Sequence, residues 1–271
     1  MSESTADEGT AGTSGLTLGE WLARAPFGLA MSSGFFAFYA HTGMLGALLE
    51  RGLVPASVAG SSAGAMVGGA WGAGTTVDEL AATLLGLERA DFWDPRLGAG
   101  LLAGRKFDAL LRRLLPVHRI EACRVPVAIS VFDILARRTE VLTRGDLALA
   151  IRASCAVPAM FHPVWIAADR QRARPYWDGG ILDRPGLVGA GPGRTLYHHI
   201  AAHAPWSRPN AAPHEIPRRP QTVTLVLDDL PRANPFRLDA GRRALAGARA
   251  ATLRALDAPI ADSVVRIRVA P

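Results

Sequence analysis

Ser57-Val58-Ala59-Gly60-Ser61-Ser62-Ala63-Gly64-Ala65-Met66-Val67-Gly68-Gly69-Ala70-Trp71-Gly72-Ala73 carries no charged residue and passes through three regimes. Ser57–Gly60 reads as a short buried strand and Ser61–Ser62 as a turn. Ala63–Ala73 reads as a helix whose many small residues allow close packing on a sheet. A strand, a tight turn and a helix in that order make a βα unit. The stretch upstream repeats the pattern, with strand Phe27–Met31, turn Ser32–Phe38 and helix Ala40–Arg51. From Ala25 to Leu49 and from Gly52 to Val77 there is no Asp, Glu, Lys or Arg, which is long enough to raise the question of membrane spans. Several Gly, Ser and Thr residues, His41 in the first stretch and Pro55 early in the second favour two βα units instead.

The alternation continues downstream. A helix over Val77–Leu87 begins at a capping Thr76, residues 91–104 read as a loop, and Phe107–Leu115 is helical. Strands Val125–Phe132 and Thr139–Thr143 flank the turn Ile134–Arg138. Helix Asp146–Ser154 ends near Pro158, and Pro175–Trp177 leads into the turn Asp178-Gly179-Gly180. Strands Thr195–Ile200 and Thr222–Leu227, helix Asp239–Leu256 and strand Ser263–Val269 close the chain, with Ala204–Pro220 a surface loop. This pattern predicts an α/β fold with a mostly parallel sheet. Residues 1–15, acidic and small-polar, read as a disordered tail without a signal peptide, so residues 16–271 are expected to form one domain.

A 271-residue chain that is 49% hydrophobic and 20% charged is globular. Cys123 and Cys155 suit neither a zinc site nor a disulfide framework, so no metal or cofactor is expected and a reducing, cytoplasmic setting is the default. The net charge is +6, yet only Lys106 among the thirty basic residues is lysine, and no basic run is interleaved with aromatics. Nucleic acid is therefore not the expected partner. Peripheral attraction to an anionic membrane stays open, and oligomeric state is not legible.

Gly60-Ser61-Ser62-Ala63-Gly64 fits G-x-S-x-G, a strained strand-to-helix turn that exposes a serine Oγ, with the helix N-terminus aimed at a developing oxyanion. A serine hydroxyl needs a proton acceptor. The cluster His198, His199 and His203 could end a Ser–acid–His order, although it also reads as a strand running into a loop. Asp178 could do so too, since two glycines after it permit a turn tight enough to aim its carboxylate into the crevice of the sheet.

In sequence order these residues resemble the bacterial patatin-like phospholipases, whose pattern is a Gly-rich oxyanion loop, G-x-S-x-G, then D-G-[GA]. Ala40-His41-Thr42-Gly43 with Met44-Leu45 resembles the segment after the oxyanion loop. Arg152 through Pro158, with Phe161 and Pro163, resembles the stretch ahead of the aspartate, and the likeness spans about residues 27–190. It implies a three-layer α/β/α domain and a lipid acyl hydrolase that works through a Ser62–Asp178 dyad and an acyl-enzyme, without histidine. It further implies an oxyanion hole built by Ser33, Gly34, Phe35 and Ala63. The family loop reads roughly G-G-G-x-[RK]-G where this chain has Ser33, Gly34, Phe35, Phe36, Ala37 and Phe38. That departure leaves a non-catalytic lipid- or protein-binding member as the alternative. Phe35, Phe36 and Phe38 are expected to line an acyl-chain pocket, and any phenylalanine forced into left-handed backbone would carry strain of about 1–2 kcal/mol.

Overall fold

The computed structural model describes residues 15–167, 172–201 and 215–269. The tail 1–14, most of the Ala204–Pro220 segment, His203 and His214 lie outside the described residues.

The two βα units take the predicted form. β1 (Gly28–Met31) leads to α2 (Phe38–Glu50), which follows a short α1 (Leu18–Ala23), and β2 (Ser57–Ser61) leads to α3 (Ala63–Ala73). β1 and β2 run parallel, with Ala30 beside Ala59. α2 starts two residues earlier than the apolar spacing suggests, so Phe38 belongs to its first turn and not to the loop. α4 (Val77–Leu85) opens on a capping box in which Thr76 and Glu79 each accept the other's backbone N–H.

The 91–104 segment corrects the expectation of a plain loop. It contains β3 (Gly100–Leu102), which pairs with β6 (Ala159–Phe161) in a small sheet of its own. Three-residue strands show no alternation that a sequence reading could detect. After β3 come α5 (Arg105–Leu114), β4 (Val127–Asp133), β5 (Arg138–Leu142) and α6 (Leu147–Ser154), the last N-capped by Asp146. β7 (Val164–Ile166) and β8 (Arg174–Asp178) follow, so Asp178 ends a strand before a single 3-10 turn at Gly179–Ile181. β9 (Thr195–His199), β10 (Thr222–Asp228), α7 (Asp239–Leu256) and β11 (Val264–Arg268) complete the chain.

The central sheet runs β11-β10-β9-β1-β2-β4-β8-β7, with β5 also paired to β4. The five pairings from β11 to β4 are parallel, and those of β4 with β5 and β8 and of β7 with β8 are antiparallel. The fold is thus α/β with a mixed, mostly parallel sheet. Alternation decides what each face buries. Leu29, Met31 and Val58 enter the main core shared with α2, α3, α6 and α7, whereas Ala30 and Tyr197 meet Leu187 from the segment after Asp178 on the opposite face. Layers of helix, sheet and the 182–190 segment result. Among the described residues no helix is long and apolar enough to cross a membrane. The two uncharged stretches are instead buried strands and the helices packed on them.

Candidate active site

Sheet register brings together residues that are distant in sequence. Ser61 pairs with Ser130 across β2 and β4, and Val131 pairs with Asp178 across β4 and β8, so Ser62 and Asp178 leave the sheet at one height on either side of β4. The side chains bridge that gap. Ser62 Oγ donates to Asp178 Oδ2 at 2.7 Å, and the Gly180 N–H donates to Asp178 Oδ1 at 2.7 Å.

The turn that presents Ser62 is strained and externally braced. Its φ of 52° and ψ of −117° lie where a residue with a side chain seldom sits. A β-carbon at Gly64 would stand 2.1 Å from the Met31 carbonyl oxygen, so only glycine lets α3 begin against β1. The Ser62 N–H donates to Ser154 Oγ at 2.8 Å, and Ser154 Oγ donates onward to the Ser130 carbonyl at 2.7 Å. α6 and β4 therefore fix the turn through one hydroxyl. The same closeness explains the glycine after Asp178, since a β-carbon at Gly179 would lie 2.1 Å from the Ser130 oxygen.

Asp178 is 5% exposed. Burial pushes its carboxyl up from 3.8 to about 6, against the lowering effects of the Ser62 hydroxyl, the Gly180 N–H and the Arg184 charge. It is ionised at neutral pH and a better base than an exposed aspartate. Cys155 donates its thiol to the Ser62 carbonyl at 3.3 Å, and burial raises that thiol well above its ordinary value, so it stays protonated.

In the loop after β1 one of the expected donors is engaged elsewhere. The Ser33 N–H is already bonded to the Arg184 carbonyl at 2.7 Å, which withdraws Ser33 from the expected oxyanion donors. Among the described residues the N–H groups of Gly34 and Ala63 have no acceptor, and both residues line the cavity beside Ser62. Gly34 is required by space, since a β-carbon there would approach that of Ala37 to 2.6 Å. Phe36 adopts φ 56°, the left-handed geometry whose strain the sequence raised. Its ring packs against Phe35, Phe38 and Phe92 at centroid distances of 5.0, 5.1 and 5.9 Å, contacts that offset the backbone cost.

A cavity of about 800 Å³ opens from Ser62 and Asp178 and is lined mainly by apolar side chains. Phe35, Phe36 and Phe38 are among them. Sequence reasoning missed Phe92, Trp93, Leu102 and Phe107, which come from the 87–110 region, and Phe161 from β6. The signal available for them was a set of large apolar residues inside a segment otherwise punctuated by Gly and Pro.

The histidines are placed elsewhere. His41 and His198 are fully buried, with Nδ1 atoms 2.8 Å apart, and His41 Nε2 lies 2.8 Å from the Ser32 carbonyl oxygen. A carbonyl only accepts, so His41 carries its proton on Nε2 and His198 donates from Nδ1. His199 meets the Tyr197 hydroxyl at 2.9 Å. Among the described residues the side-chain partner of Ser62 Oγ is Asp178 and not a histidine. Among the described residues no group of three or more His, Cys, Asp or Glu could hold a metal ion.

A serine held on a strained strand-to-helix turn, a buried carboxylate within hydrogen-bond reach and an apolar cavity on a mostly parallel sheet describe a nucleophile-elbow α/β protein. A family profile described as patatin-like phospholipase matches residues 29–189, from β1 through the segment after Asp178. The chain belongs to that family. An uncharacterized NTE family protein of Mycobacterium bovis is 38% identical over 159 residues, covering 57% of this chain and 42% of the relative. Uncharacterized NTE family proteins of two Mycobacterium tuberculosis strains match to the same extent. The chain thus spans less than half the length of these curated relatives. Among solved structures, VipD from Legionella pneumophila aligns at TM-score 0.43 and 15% identity over 74% of this chain and 50% of its own. The type III effector protein ExoU aligns at TM-score 0.45 and 13% identity, covering 86% of this chain and 53% of its own.

Proposed function

We propose that the protein is a serine acyl hydrolase acting on lipid esters, with Ser62 as nucleophile and Asp178 as its base. Ser62 Oγ attacks the ester carbonyl while its proton passes to Asp178 Oδ2. The oxygen that gains negative charge faces the N–H groups of Gly34 and Ala63 and the N-terminus of α3. Collapse of the tetrahedral intermediate breaks the ester C–O bond, and Asp178 returns the proton to the departing alkoxide. Water then attacks the acyl-Ser62 ester, giving its proton to Asp178, and Ser62 is released as the hydroxyl when that proton returns to it. The observation that carries this reading is the 2.7 Å contact between Ser62 Oγ and a buried Asp178 carboxylate. The apolar cavity beside it supports an acyl chain as the group bound.

Hydrolysis of soluble and lipid esters by the wild-type protein, Ser62→Ala and Asp178→Asn tests the proposal. Both variants should fold and lose turnover, and a variant that kept most of the rate would overturn the assignment.

A second reading, a lipid- or protein-binding member without turnover, is favoured by the occupied Ser33 N–H and the strained Phe36 in place of a glycine loop. It predicts stoichiometric lipid binding and no hydrolysis across acyl esters.

A further inference from the structure

The mouth of the cavity carries apolar side chains that the fold leaves in water. Residues 95–102 form a hairpin, closed by the Arg96 N–H to the Leu101 carbonyl at 3.0 Å and a bridge between Pro95 and Leu102. Its return strand, β3, lines the cavity through Leu101 and Leu102, while Leu97 in its turn is 99% exposed. On another part of the rim, Phe236 is 73% exposed and its ring meets that of Trp93, a cavity-lining residue, at 6.3 Å. The Arg89 guanidinium lies over both rings, 5.7 Å from Trp93 and 5.5 Å from Phe236. Arg96 and Arg237 are exposed neighbours in sequence of the two apolar tips. The carboxylates on the same segments are engaged, Asp91 and Asp94 with backbone N–H groups and Asp239 with Arg243.

From this juxtaposition we infer that the rim formed by Leu97, Leu101 and Phe236 docks on a phospholipid bilayer with anionic headgroups, so that the cavity opens onto the acyl layer. The inference rests on the lipid-ester reading of the same site and adds the physical source of the substrate. The geometry matches what an interface demands, with apolar tips to enter the acyl boundary and arginines beside them at headgroup level. Continuity matters most, because Leu101 belongs both to the exposed rim and to the cavity wall. A lipid drawn from the bilayer would pass from one apolar surface to the next without its chain crossing water.

The test uses the 271-residue Ser62→Ala protein, which removes turnover from the binding measurement, in sedimentation with phosphatidylcholine vesicles and with vesicles in which phosphatidylserine replaces part of the phosphatidylcholine. Binding should be stronger to the anionic vesicles, weaken with salt, and fall at least about tenfold when Leu97→Ser and Phe236→Ser are added. In the otherwise wild-type protein the same pair should leave the rate on a soluble short-chain ester unchanged and lower the rate on vesicle lipid. Failure to bind either vesicle, equal binding to both, or undiminished binding by the double variant overturns the inference. So does a dimer in sedimentation equilibrium that the double variant abolishes, since a second copy would then cover the rim. Vesicle binding through Leu97 and Phe236 without hydrolysis of any ester would uphold the docking surface and overturn the hydrolase reading. Hydrolysis of soluble esters without vesicle binding would do the reverse.

Discussion

Acidification should switch off ester hydrolysis with an apparent pKa of about 6, and the burial of Asp178 sets that figure. Its displacement from 3.8 to about 6 corresponds to roughly 3 kcal/mol of differential interaction between the protonated and ionised forms. At pH 5 about one carboxyl in ten remains ionised, whereas an ordinary aspartate would be more than nine-tenths ionised. The ratio kcat/KM on an uncharged soluble ester should therefore drop to about a tenth of its plateau at pH 5 and keep falling tenfold per unit. Stability follows with the opposite sign. The folded carboxyl takes its proton near pH 6 and the unfolded one near 3.8, so this group's contribution to stability rises as pH falls between those values. At pH 7 the buried charge weighs against the fold by up to roughly 3 kcal/mol. Asp178→Asn removes that charge and keeps an acceptor oxygen for the Gly180 N–H. It should raise the unfolding free energy from urea titration at pH 7 by on the order of 1–3 kcal/mol, while abolishing turnover. A pH–rate profile that stays flat to about pH 4.5, or a variant less stable than wild type, would refute the argument that desolvation tunes this base.

Three further outcomes follow from the surroundings of the dyad. Gly64→Ala places a β-carbon 2.1 Å from the Met31 oxygen, so it should cost more than about 4 kcal/mol and yield little folded protein by circular dichroism. Ser154→Ala strands the buried Ser62 N–H and Ser130 carbonyl, so urea unfolding should show a loss of about 1–3 kcal/mol. It should also lower kcat, because the elbow loses its brace. Burial holds the His41 imidazole down at about 4, from 6.5, and also holds His198 well below 6.5, so these two contribute stability that is present above pH 6.5 and lost as pH falls toward 4. In the Asp178→Asn background, where the opposing contribution is absent, stability should fall by at least about 2 kcal/mol between pH 7 and pH 5, and a constant urea midpoint would contradict the buried neutral pair.

The parallel half of the fold was legible because its signals are local. Ser57–Gly60, Ala63–Ala73 and Asp239–Leu256 combine an apolar run or a helical period with clear turn residues, and the structure gives strands or helices there within a residue. The antiparallel edge and the small β3–β6 sheet were less so. β3, β6 and β7 are three residues each, too short to show a period, and β3 becomes a strand only by pairing with β6, some sixty residues on in sequence. Ser62 and Asp178 could be singled out from their motifs, but no spacing rule joins residues 116 apart; the β2–β4–β8 register does. Ser154 and the occupied Ser33 N–H were invisible for the same reason, since a hydrogen-bond partner is a property of the folded chain. Gly179 carries the opposite lesson. As part of an Asp-Gly-Gly turn it looked like a matter of backbone freedom, whereas the carbonyl of Ser130 leaves no room for a side chain.

Exposure of the native protein to a fluorophosphonate, followed by peptide mass spectrometry, tests the central claim most directly, because the reagent phosphonylates a serine only where a base and an oxyanion site act on it together. The account predicts one adduct, on Ser62, absent in Ser62→Ala and strongly slowed in Asp178→Asn. A folded protein that takes up no label, or takes it on another serine, would contradict it.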